Sequence, residues 1–135
     1  MHSPEWARLA GFALTIITGA DLDFLDLDAD PPECFEAQPN DDPDNEVVDM
    51  EDEDLIWPKV EELADWWEKQ TCYEQGISYL NGKEKTQANL LENLKLGRQS
   101  HRTAAATELA LLEPMQTLFS VEAPGFRQLR QLNDV

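Results

Sequence analysis

From Leu9 to Pro58 the chain carries no Lys, Arg or His. Carboxylates in such a stretch have no local counter-charge, so they must face water or a partner rather than fill a core. Pro31, Pro32, Pro39 and Pro43 forbid a long helix there. The density peaks at Asp41–Pro58, "DDPDNEVVDMEDEDLIWP", where nine of eighteen residues are Asp or Glu. Residues 21–57 therefore read as a long, mostly irregular acidic segment, of a length that is usually functional or disordered. Within it "DLDFLDLDAD" alternates acids with Leu22, Phe24, Leu25 and Leu27, a pattern that pins the segment to a core through those four side chains.

The acidity is local. Residues 1–54 hold seventeen acids and one base, Arg8, whereas residues 55–135 hold eleven acids and nine bases; the whole chain has net charge −18. A hydrophobic share of 41% argues against full disorder, which needs low hydrophobicity as well as high charge. At 135 residues the expectation is one domain, residues 1–135, with an N-terminal helix (1–20), the acidic segment (21–57) and a helical portion (58–135).

Helix signals lie on both sides of the acid. Ser3-Pro4-Glu5 supplies an N-cap, a first-turn proline and a first-turn acid, and Gly19 a C-cap. Between them Trp6, Leu9, Ala10, Ala13, Ile16 and Ile17 recur at helical spacing, with Phe12 and Leu14 broadening the apolar face, which predicts a helix buried on most sides. Pro58 is expected to open a second helix with a Val60, Leu63, Ala64 and Trp67 stripe. Asn81-Gly82 is a turn signal. Thr86 caps a third helix carrying Leu90, Leu91 and Leu94 and ending at Gly97. A fourth runs from Gln99 to Leu112, with Ala105, Ala106, Leu109 and Leu112 on its core face, and Pro114 beyond it. "TLFSVE" is extended, and Pro124 starts a last helix with Phe126, Leu129 and Leu132. The fold class expected is mainly α, with helices three and four as an antiparallel hairpin about Gly97.

Catalytic and metal chemistry finds little purchase. An EF-hand register starting at Asp26 places Asp28 and Asp30 correctly, but puts Pro31 where glycine must turn and Ala37 where the bidentate Glu belongs. No phosphate-binding glycine loop or nucleophile motif is present. His101, beside Arg98 and Arg102, reads as part of a solvated helix face. The expectation is a non-enzyme without cofactor or metal. Cys34 and Cys72 form no CxxC, which fits a reducing compartment. The apolar run Leu9–Ile17 has the length of a signal-peptide core, but Glu5 precedes it and acid follows; the expectation is a cytoplasmic chain with no membrane partner. Nucleic acid is disfavoured by the charge. Lys83, Lys85, Lys95, Arg98, Arg102, Arg127 and Arg130 are expected to salt-bridge to the acidic segment. Adjacent Trp66 and Trp67 point about 100° apart on a helix, so one of them is free to be an interface anchor.

From "ARLAGFALTIITGADL" through "YLNG" to "GRQSHRTAAATELALLEPMQTLFSVEAPGFRQ" the chain resembles an uncharacterised bacterial family of HEAT-repeat-like proteins, over Arg8–Leu22, Asp54–Trp67, Tyr79–Gly82 and Gly97–Gln128. In that family the corresponding region follows an array of helical repeats, so this chain would be the terminal module alone, with a HEAT-like helix pair. Ser100 and His101 stand where the family tends to have Arg and Gln. The family's genes tend to lie near type VI secretion components and their effectors, which implies an immunity or loading role in bacterial competition.

Within that context the acid has a physical use. A nuclease has a basic cleft, and a carboxylate surface can occupy it and speed its own capture by ~10- to 10³-fold. The expected function is an immunity protein that binds and neutralises a basic toxin domain. The expected contacts are Asp41, Asp42, Asp44, Glu46, Asp49, Glu51, Asp52, Glu53, Asp54, Trp57 and Trp66, with Val47, Val48, Met50, Leu55 and Ile56 as further apolar anchors. The alternative is an adaptor that loads an effector without inhibiting it, held mainly through the first helix and Trp66 or Trp67. A third is a repeat fragment whose acid only keeps it dissolved.

Overall fold

A computed structural model describes residues 4–32, 52–112 and 117–133. Five helices take up about half of these, with two short strand pairs, so the chain is mainly α. The candidate contacts Asp41, Asp42, Asp44, Glu46, Asp49 and Glu51, like the anchors Val47, Val48 and Met50, lie outside the described residues. The chain forms two compact units, one within residues 1–15 and 20–74, the other within 16–19 and 75–135.

The first unit begins with α1 (Pro4–Thr18), which starts at its proline as expected and ends before Gly19, at φ +71°. Its buried stripe differs from the expected one. Ala7, Arg8 and Gly11 are buried, while Trp6 is 62% exposed and Leu9 and Phe12 also reach solvent. The reason is a close approach: a Cβ on Gly11 would sit 3.2 Å from Pro58 Cγ, so this helix packs through its small residues.

Residues 22–26 form one helical turn. Asp21 Oδ1 accepts from the Phe24 N–H at its start, and the Leu27 N–H donates to Leu22 C=O at 2.8 Å at its end. Asp26 closes it in the left-handed region at φ +56°, a Schellman-type stop. This geometry turns Leu22 and Leu27 inward and leaves Phe24 86% exposed and Leu25 facing solvent, so only two of the four alternating side chains pin the segment. Next, β1 (Asp28–Ala29) pairs antiparallel with β2 (Trp57–Pro58), Ala29 opposite Trp57. Pro58 therefore belongs to a strand rather than to a helix, and α2 (Val60–Glu68) starts two residues later, after Lys59 donates its N–H to Leu27 C=O. Leu22, Leu27 and Leu63 form the core, with Leu14 and Trp66 packed against it. Each buried Leu contributes about 1.5–3 kcal/mol.

In the second unit β3 (Tyr79–Leu80) and β4 (Lys83–Glu84) form a hairpin about Asn81-Gly82, with φ +53° and +74°. Positive φ at both positions is what a type I′ turn requires, and Asn-Gly is its preferred sequence. The turn's two N–H groups donate to Ile16 and Ile17 C=O, satisfying carbonyls that the end of α1 leaves open. Thr86 caps α3 (Gln87–Leu96) by accepting from the Asn89 N–H at 3.2 Å. Gly97 separates it from α4 (Gln99–Leu112). Lys85, just before α3, bridges Glu108 near the end of α4, and Arg102 Nε donates to Leu94 C=O at the opposite end; the two helices are antiparallel. Leu80, Leu90, Leu94, Ala105 and Ala106 are the core, joined by Leu109, Phe119 and Val121, and by Leu132 of α5 (Gly125–Asn133).

Two expectations for this unit need correction. His101 is buried, close against Gly97, rather than on a solvated face. Leu112, Phe126 and Leu129 face solvent. Among the described residues Lys83 and Lys85 pair with Glu92 of α3 and Glu108 of α4, and Arg102 donates to Gln128 of α5.

Candidate acidic docking face

The one base of residues 1–54 organises the described part of the acid. Arg8, 3% exposed, donates from Nη2 to Asp52 Oδ1 at 2.7 Å, and its guanidinium lies 5.0 Å from the centre of the Trp57 ring. The Asp52 side chain is only 15% exposed. A guanidinium that loses water needs both charge pairing and an apolar or aromatic face, and it has both here. Asp52 also starts a tight turn, since the Leu55 N–H donates to its carbonyl at 3.0 Å. Glu53 and Asp54 project from this turn into solvent.

The turn stands beside a shallow recess of about 360 Å³, between β1 and the approach to β2. Asp23, Asp28 and Asp54 contribute carboxylates, and Leu55, Ile56 and Trp57 the apolar lining. Ile56 is half exposed, while Trp57 is buried against Arg8. Such a recess suits the aliphatic stem of a Lys or Arg on Ile56 with its head among the carboxylates. Beside it the Lys59 ammonium is tied to Asp26 Oδ1 and to Asp26 C=O at 2.9 Å. Its pKa is raised, chiefly by the Asp26 side-chain hydrogen bond, which desolvation opposes next, and with further help from the charges of Asp26, Glu62 and Asp28. Among the described residues no group of His, Cys, Asp and Glu is disposed to hold a metal ion.

Of the expected contacts, Asp52, Glu53, Asp54 and Trp57 come together here, with Asp52 and Trp57 turned inward as supports. Trp66 lies apart, packed on the Leu22, Leu27 and Leu63 core. Asp23, Asp28 and Arg8 were not singled out from the sequence. Arg8 carried the available signal: a lone base beside seventeen acids must find one of them.

Among the described residues no helix is long and apolar enough to cross a membrane. No protein-family model, curated protein or solved structure matches the chain.

Proposed function

We propose that the chain is an immunity protein, which captures a basic protein toxin, most simply a nuclease domain of a type VI secretion effector, through its acidic face. The observation that carries the reading is the turn at Asp52, held in place by Arg8, where Glu53 and Asp54 stand exposed and Asp54 lines a recess with Asp23, Asp28 and Ile56. Fixing the acid on a scaffold lowers the ordering cost of binding. Carboxylates around an apolar recess supply both steering and an anchor. The type VI context rests on the family resemblance.

The test is co-expression with the effector encoded beside it, scoring cell survival and complex formation. Wild type should rescue growth and form a salt-sensitive complex. Glu53→Gln with Asp54→Asn should weaken both. Binding without rescue by the wild type would replace this reading with that of a loading adaptor. The exposed Trp6, Leu9 and Phe12 of α1 favour that second reading, since an adaptor needs apolar contact more than charge.

A further inference from the structure

The first unit has a second concavity, on α2, which the acidic face does not use. Leu14, Val60, Leu63, Ala64 and Trp67 give it an apolar lining, and its volume is about 700 Å³. Trp67 is 39% exposed, yet its ring is stacked on Tyr73 with centroids 5.0 Å apart and planes 27° apart. A large aromatic held by a neighbour and still open to solvent is preorganised as an anchor, because little side-chain freedom remains to be lost.

Charge says what would cover it. Glu61 and Asp65, one helical turn apart, edge the groove. The nine residues of α2 carry four acids, Glu61, Glu62, Asp65 and Glu68, and no base. Of the flanking lysines, Lys59 is engaged by Asp26, and Lys69 lies beyond the last turn, its backbone N–H donating to Trp66 C=O. An apolar floor with carboxylates along one edge complements a helix with an apolar stripe bordered by Lys or Arg. Val60 and Trp67 are seven residues apart, about 10 Å along the axis, which matches a stripe at i, i+3 or i+4, and i+7.

We propose that this groove docks a basic amphipathic helix of a partner protein, with Trp67 as its anchor. The site is independent of the turn at Asp52 and does not require the toxin reading. The same complementarity disfavours the chain's own acidic segment as occupant.

The test uses the full chain, ¹⁵N-labelled, and a synthetic peptide of roughly 15 residues, long enough to hold some helix, with Leu at the stripe positions and Lys elsewhere. Amide shifts should be confined to residues around Leu14 and 60–67. Glu61→Gln with Asp65→Asn should weaken binding about tenfold, as should Trp67→Ala, the loss expected for a single anchor. Ala64→Arg, at an exposed position, should block the groove in a chain whose circular dichroism is unchanged. Glu53→Gln with Asp54→Asn should leave peptide affinity unaltered. The proposal is overturned if a Glu-for-Lys peptide binds equally well, if a Lys peptide without Leu does, if the shifts fall elsewhere, or if Ala64→Arg changes only the chain's self-association. A toxin complex that survives Ala64→Arg but not the Glu53 and Asp54 changes, with no peptide binding, would sink the groove and leave the immunity reading standing. Peptide binding without toxin rescue would do the reverse.

Discussion

Arg8 and Asp52, 44 residues apart, meet at 2.7 Å and thereby fix where the acidic turn stands relative to α1. Breaking such a pair leaves a buried charge uncompensated, so Arg8→Met or Asp52→Asn alone should cost about 3 kcal/mol in urea unfolding. The double change Arg8→Met with Asp52→Leu should recover most of that loss. Additive losses would mean that the two charges do not depend on each other.

Glu53 and Asp54 are exposed and make no contribution to the core. Glu53→Gln with Asp54→Asn should leave stability within about 0.5 kcal/mol of wild type. It should slow association with a basic partner several-fold at low salt, and the difference should vanish near 0.5 M salt, where screening is within roughly 5 Å. Stopped-flow association at two ionic strengths measures this, and an unchanged rate would remove steering from the account.

Gly19 lies at φ +71°, and a Cβ there would come 2.5 Å from Asn81 Oδ1. Gly19→Ala should therefore destabilise by about 2 kcal/mol, from left-handed strain together with the contact. Asn81→Gly keeps the turn's positive φ and removes the amide, so in the Gly19→Ala background it should give back part of the loss. Thermal unfolding of the four chains measures the coupling.

Asn89 is the hub of the second unit. Its Nδ2 donates to Leu80, Lys83 and Glu84 carbonyls, and its Oδ1 accepts from Asn93 at 2.7 Å. Asn89→Leu should cost about 2–3 kcal/mol, because buried acceptors lose their donor and no shape change compensates. Amide exchange at Lys85, whose N–H donates to Ser78 C=O, should rise with it as the hairpin loosens. Protection unchanged at Lys85 would mean that the hairpin stands without Asn89.

How far each element was legible follows from how local its cause is. Pro4, Thr86 and Gly97 mark helix ends by their own dihedrals and hydrogen-bonding groups, and the helices begin or end at them. Asn81-Gly82 announced its turn for the same reason, although the strands on either side went unread because two residues each give no periodicity. Pro58 carried the same local signal as Pro4 but went into a strand, since Ala29 pairs with Trp57 and the Lys59 N–H meets Leu27 C=O. The apolar stripe of α1 pointed to large side chains as the buried ones. The close approach of Gly11 to Pro58 turned the small residues inward instead, Ala7 among them.

By itself the sequence determined the helical class, most helix boundaries and the confinement of acid to one segment, because propensity, capping and charge density are properties of neighbouring residues. Tertiary structure alone decided which carboxylates are held and which are presented. Arg8 meets Asp52 out of seventeen acids in its half of the chain, and nothing in a linear pattern picks that residue out. That choice depends on where Trp57 lies once β1 and β2 have paired, for the guanidinium leaves water only where a ring and a carboxylate meet it together.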